Sequence, residues 1–321
     1  MSDPRSHLYH NLSVLTAAGV PIGRALHTAA PQGRFGRLFR ALAEDISRAC
    51  TLTEAVEHRR RHFNPLEVAL IRVGEDTGQL DEVFRMLAEW YGFRHRLHRT
   101  ITSGLILPLL LIHAASVLAP LPQLVLGGWD VAAYARAVVG FLAGFYVPAA
   151  VVLGIVCLTP RRGPLRAVLD ALVLWVPVLG GAVRDLALSR YSQAFGMALK
   201  AGLPIAQAAT LAEDAAGNAV VRSALRGGGE AIRQGREMSS GFLRRLLPSE
   251  FIAVWEVGEE AGALDDSAVR LGGVYGDRAE EGLRAVCVWV PRLIYLAVVL
   301  VLANSVLAGF ARVHRVSVGF P

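Results

Sequence analysis

The sequence predicts an all-α, polytopic membrane protein: two homologous antiparallel helical bundles on the cytoplasmic side, carried by three transmembrane helices. Three observations predict it. Uncharged apolar runs reach membrane-spanning length, a set of short motifs occurs twice in register, and the hydrophobic periodicity is helical rather than alternating. With 53% hydrophobic and 19% charged residues in 321, and a mean hydropathy of +0.42, the chain is more apolar than an ordinary soluble domain of its length.

The spans come first. Residues 101–126 hold no acidic or basic side chain except His113, and residues 138–158 and 293–310 carry no charge. Each run approaches or exceeds the roughly 18–20 residues a helix needs to cross a bilayer. Met1–Arg5 is polar and lacks an apolar core, so no cleavable signal sequence is predicted. The layout that follows is a first bundle over 1–100, two spans with a short external loop over 101–160, a second bundle over 161–285, and a third span with an external tail over 286–321.

Charge sets the orientation. The formal net charge is +6 and nearly all cations are arginine, Lys200 being the only lysine. His95, Arg96, His98 and Arg99 precede the first span, and Arg161, Arg162 and Arg166 follow the second. Gly127 to Ala137 contains a single basic residue, Arg136. The positive-inside rule therefore places both large segments in the cytoplasm and that loop outside. Arg312 and Arg315 in the tail pull weakly the other way. No nucleic-acid reader motif accompanies the basic charge, so nucleic acid is not an expected partner. Cys50, Cys157 and Cys287 are far apart and form no C-x-x-C pair, which implies neither a disulfide framework nor a metal site.

The bundles are justified by an internal repeat. Ala18-Gly19-Val20-Pro21-Ile22 recurs as Ala201-Gly202-Leu203-Pro204-Ile205, and Tyr91-Gly92 as Tyr275-Gly276, at offsets of about 183–184 residues. Thr51-Leu52-Thr53-Glu54-Ala55 aligns loosely with Glu237-Met238-Ser239-Ser240-Gly241. Leu8, Leu12, Leu15 and Ala18 share one helical face. Gly19 and Gly202 fit left-handed helix ends, and Pro21 and Pro204 the first turn of the next helix. Thr51, Thr53 and Glu54 fit a helix start. About five or six short helices per copy are expected.

The sharpest motif is G-E-x-x-G-x-L-D, present as Gly74, Glu75, Gly78, Leu80, Asp81 and again as Gly258, Glu259, Gly262, Leu264, Asp265. Apolar Val68, Ile71 and Val73, or Ile252, Val254 and Val257, lead into it. Gly78 and Gly262 supply the positive φ of a tight turn. Leu80 and Leu264 cover it, and Asp81 and Asp265 fall in the first turn of the next helix, where a carboxylate favours the dipole. Glu75 and Glu259 are expected to accept amides of that same helix start. A structural corner is the favoured reading; a partner contact, or a divalent cation at Glu75, Asp76 and Asp81, is the lesser one.

Chemistry is otherwise sparse. There is no G-x-x-x-x-G-K-[ST], no H-E-x-x-H and no G-x-S-x-G, so no catalytic residues, cofactor or metal are assigned and the chain does not read as an enzyme. Gly227-Gly228-Gly229 reads as a loop between helices. His113, mid-span, reads as a helix–helix hydrogen-bonding residue, and Arg292, near a span start, as one that snorkels to the interface. A membrane transporter or an unrelated membrane scaffold is the alternative class; the spans carry no Asp or Glu for a proton relay.

Taken together, the two-copy plan, the A-G-[VL]-P-I helix pair, the G-E-x-x-G-x-L-D turns and the three spans resemble the inner-membrane platform proteins: the F component of type II secretion systems and the C component of type IV pilus assembly. Pro177-Val178-Leu179-Gly180 followed by Arg190-Tyr191-Ser192-Gln193-Ala194-Phe195 also resembles that family's entry into its second domain. The chain begins almost at the first repeat, where the family usually carries an N-terminal extension, and has Pro291-Arg292 where an acidic residue often pairs with the proline. The resemblance implies a non-enzymatic platform that couples a cytoplasmic ATPase to pseudopilin or pilin assembly. The implied partners are that ATPase, pseudopilins or pilins, other inner-membrane assembly components, membrane lipid and further copies of itself.

Overall fold

The computed structural model describes residues 4–126, 129–158 and 164–318. Arg161, Arg162 and Gly127 lie outside the described residues, as do the side chains of Cys157, Arg312 and Arg315. Every regular element among the described residues is helical.

The first copy comprises α1 (Pro4–Ala17), α2 (Ile22–Ala29), α3 (Arg34–Ser47), α4 (Leu52–His58), α5 (Pro65–Thr77) and the start of α6 (Leu80–Leu118). Then come α7 (Leu121–Leu126), α8 (Val131–Leu158) and α9 (Pro164–Trp175). The second copy is α10 (Leu179–Lys200), α11 (Ile205–Ala216), α12 (Ala219–Arg233), a 3-10 turn (Ser239–Gly241), α13 (Ser249–Glu260) and the start of α14 (Leu264–Val318).

Local chemistry explains the boundaries. Gly19 and Gly202 have φ of +76° and +88° and end α1 and α10; Pro21 and Pro204 are N-caps, one position earlier than first-turn residues. Thr51 and Glu54 form a reciprocal capping box on α4, and Asn64 and Glu67 form one on α5, with Pro65 opening that helix. Asn218 caps α12 through the amides of Val220 and Val221.

The two copies, which the sequence separates into two bundles, are drawn into one compact unit comprising residues up to Arg99 together with Asp170–Glu281. Their buried side chains form one continuous core. α5 of the first copy packs on α10 and α11 of the second. Gly276 of α14 lacks a Cβ where Phe93 of α6 lies, 2.9 Å from where that atom would be. Burial of both faces in a shared core removes more apolar area from water than two separate small bundles would.

Two further expectations are corrected. The apolar run 101–126 is not one helix: α6 stops at Leu118 and α7 begins at Leu121. Pro120 cannot donate a helical hydrogen bond and disfavours helical backbone at Ala119. Gly227–Gly229 are not a loop but the interior of α12. A Cβ on Gly227 would collide with the backbone of Gly241, and one on Gly228 would lie 2.9 Å from Met238 Cγ. The glycines let a helix lie directly on the 3-10 turn.

The second unit is Thr100–Leu169 with the chain from Gly282 onward. Among the described residues, two helices are long and apolar enough to cross a membrane, Leu80–Leu118 and Val131–Val151. Asp130 Oδ1 caps α8 by accepting the amides of Ala132 and Ala133, both at 3.0 Å. His113 Nδ1 lies 2.7 Å from the Leu109 carbonyl, so Nδ1 carries the proton and Nε2 accepts from Tyr146 Oη of α8 at 3.3 Å. This is the helix–helix hydrogen bond expected of it. A Cβ on Gly104 of α6 would collide with Cys287 of α14, so these helices cross in close contact. Arg292 lies over the Trp289 ring at 5.1 Å.

Candidate functional site

The repeated corner brings its residues together the same way in both copies. α5 ends at Gly78 with φ +73°, and Gly262 beyond α13 has φ +66°, the left-handed geometry that needs no Cβ. Leu80 and Leu264 start α6 and α14 and pack against the core from the rim. Asp81 and Asp265 lie in the first turns of those helices. The first glycine of the motif has a different role. A Cβ on Gly74 would lie 2.8 Å from Val83 Cγ2, and one on Gly258 would lie 2.6 Å from Ser267 Cβ. Val83 and Ser267 occupy the same repeat position, so each glycine admits the neighbouring helix at the same point.

The glutamates do not bond the helix start expected of them. Glu75 accepts the amides of Leu52 at 2.7 Å and Thr53 at 2.8 Å, one on each carboxylate oxygen. Glu259 accepts the amides of Met238 and, at 3.0 Å, Ser239. Each carboxylate thus clasps the first turn of an element twenty or more residues upstream, where amides lack helical acceptors and the backbone dipole favours an anion. The loosely aligned segments Thr51–Ala55 and Glu237–Gly241 therefore meet the same partner. With both Glu75 oxygens engaged, the cation set at Glu75, Asp76 and Asp81 is not assembled; among the described residues no group of three His, Cys, Asp or Glu side chains is placed to hold a metal.

A buried polar network in the first copy was not read from the sequence. Glu67 is 1% exposed. One of its oxygens accepts from Tyr9 Oη; the other accepts from Tyr91 Oη and the Asn64 amide, both at 3.0 Å. Arg5 donates from Nη1 to Tyr91 Oη and from Nη2 to the His62 carbonyl, both at 2.8 Å, and its Nη1 stands 3.6 Å from Glu67. Burial, and next the Glu67 charge, push the Tyr9 and Tyr91 hydroxyls above the usual tyrosine pKa. The local signal was Asn64-x-x-Glu67, which is legible as a capping box; the partners at Arg5 and Tyr9 come from a helix some sixty residues away.

The model of the family described as type II secretion system (T2SS), protein F, matches residues 8–125 and again 191–310. The chain belongs to the type II secretion system protein F family. Both matches start in the helix that opens a copy and run past its G-E-x-x-G-x-L-D corner into the apolar sequence beyond, so the unit repeated in the family includes the helix leading out of each copy. The type 4 fimbrial assembly protein PilC of Pseudomonas putida is 26% identical, over 95% of this chain and 81% of that protein. The type IV pilus assembly protein PilC of Thermus thermophilus is 24% identical, over 96% and 82%. The type II secretion system protein F of Xanthomonas campestris is 24% identical, over 87% and 75%. The similarity thus spans pilus-assembly and secretion-system members of the F family.

Proposed function

We propose that this protein is a non-enzymatic inner-membrane platform of a type II secretion or type IV pilus machine, coupling a cytoplasmic ATPase to the assembly of pseudopilins or pilins. The family match and the names of the relatives support the machine. The observation that carries the coupling role is that α6 and α14 each begin at a clasped corner of the shared core and continue without a break into apolar sequence. The spans are then 101–118, 131–158 and 293–310, with both copies of the repeat in the cytoplasm and the residues between α6 and α8 outside. The exposed polar surfaces of the copies meet the ATPase, the spans meet pilin helices, and further copies and other inner-membrane components complete the platform. The test is co-purification of the full chain in mild detergent, with cysteines placed on the exposed face of each copy for cross-linking. ATPase captured from the copies and pilin captured from the spans is the expected result; recovery of neither would overturn the proposal.

A further inference from the structure

We propose that the basic, aromatic cleft between α1, α3 and the lower part of α6 binds the phosphate-bearing headgroup of an anionic phospholipid. The cleft has two adjoining lobes of about 630 and 480 Å³ that share Arg5 and Phe35, roomy enough for a headgroup. The larger lobe is walled by Arg94, His95 and His98 of α6, with Tyr91 at its base. The smaller is walled by Arg37 and His62. No carboxylate lines either lobe among the described residues. Glu67, 3.6 Å from Arg5 Nη1, is buried and engaged by Tyr9, Tyr91 and Asn64.

The cleft is organised before any ligand arrives. Arg5 is fixed by Tyr91 and the His62 carbonyl, and its guanidinium lies 5.2 Å from the Phe35 ring centre and 5.3 Å from that of Tyr91. Arg94 lies over the same Tyr91 ring at 5.7 Å. Guanidinium groups held on rings present their N–H forks in fixed directions, the geometry that suits phosphate oxygens. Burial and then the Arg94 charge lower the pKa of Arg190 to about 10. An anion in the cleft would relieve that repulsion.

The source of the phosphate follows from register. α6 is continuous from Leu80 to Leu118, and its apolar stretch begins at Ile101, about 4.5 Å along the helix axis from His98. A headgroup is the phosphate found at that depth, and juxtamembrane arginines are attracted to anionic leaflets. This inference rests on the membrane reading of α6 proposed above.

Native mass spectrometry of the full chain in mild detergent, titrated with phosphatidylglycerol or phosphatidylcholine, tests the site. Phosphatidylglycerol is expected to bind at least about fivefold more tightly than phosphatidylcholine. Arg94→Glu and, independently, Arg37→Glu should abolish most of that preference, while Arg245→Glu on the exposed surface of the second copy keeps it. Equal binding of the two lipids, or a preference that survives both cleft variants, overturns the site. Arg94-dependent binding of inorganic phosphate or ATP without phosphatidylglycerol binding assigns the cleft to a soluble phosphate and overturns the lipid assignment. Carbonate extraction of membranes reports separately on the underlying reading: release of the chain into the supernatant sinks the membrane assignment itself, whereas retention with equal lipid binding sinks only the cleft.

Discussion

The two copies solve the same packing problem with opposite chemistry. In the first, the centre of the core holds a carboxylate, Glu67, with Tyr9, Tyr91 and Arg5 around it. In the second, the equivalent position is Phe251, and it sits in a cluster of rings: Trp255 at 5.5 Å, Phe242 at 6.3 Å and Tyr275 at 5.6 Å. The partners change in step. Arg5 corresponds to Leu188, Tyr9 to Ser192 and Tyr91 to Tyr275. Because Phe251 cannot accept, the Tyr275 hydroxyl and Ser192 Oγ are buried without a hydrogen-bond partner among the described residues, as are Tyr191 Oη and Trp255 Nε1. What stays constant is the backbone device: the left-handed glycine, the glycine under the neighbouring helix, the carboxylate clasp, and an arginine over the retained tyrosine, Arg94 on Tyr91 at 5.7 Å and Arg278 on Tyr275 at 5.2 Å. The difference teaches that the corner defines the fold of a copy and the core composition is free to vary, provided each buried charge keeps its whole set of partners.

Exchanging the central residues breaks that comparison most severely. Phe251→Glu would bury a carboxylate among rings with Leu188 where an arginine is needed, a loss of about 4–5 kcal/mol. Glu67→Leu strands two hydroxyls and Arg5 and should cost about 3 kcal/mol. Thermal unfolding of the full chain in detergent checks both, and a Phe251→Glu variant as stable as wild type would show that the second core tolerates charge. Gly74→Ala should cost about 2 kcal/mol by driving Val83 away, and Val83→Ala should restore most of it.

A smaller effect comes from pH. Tyr9 and Tyr91 in the first copy and Tyr191 and Tyr275 in the second all have pKa values raised first by burial. Their stabilising contribution is complete below the unfolded value of about 10 and falls as pH rises above it, by up to about 1.4 kcal/mol per tyrosine per pH unit. Unfolding midpoints measured between pH 8 and 11.5 should decline only above about pH 10, and Tyr9→Phe should soften that decline. The mildest test sharpens the common element: Glu75→Gln and Glu259→Gln keep one acceptor each and should each cost about 1 kcal/mol. Equal losses would establish the clasp as equivalent in both copies, and a loss at only one would divide them.

Much of the fold was legible because its signals are local. Pro21 after Gly19, the Thr51–Glu54 box and the left-handed Gly78 are decided by a few neighbouring residues, and the repeat shows each of them twice. The errors arose where distant packing decides. Gly227–Gly229 have the composition of a loop, and only contact with Gly241 and Met238 makes glycine the residue a helix wants there. The run to Leu126 reads as one span by hydropathy, yet Pro120 breaks it. The Glu75 clasp was placed on the wrong helix because its acceptor capacity is readable and its partner is not. Fusion of the two copies into one core depends on complementary surfaces, such as Phe93 against Gly276, that no spacing rule encodes.

The clasp has a mechanical corollary. Between Leu80 and Ile101, α6 is a rod about 32 Å long, and the corner at its inner end joins it to α5, which two short charge-assisted bonds from Glu75 tie to α4. A rotation of about 10° there would carry the helix at Ile101 sideways by about 5–6 Å, one helical pitch. With the corner held fixed, the length of α6 sets the gain: a tilt of that size imposed on the core becomes a step of about one helical pitch at Ile101.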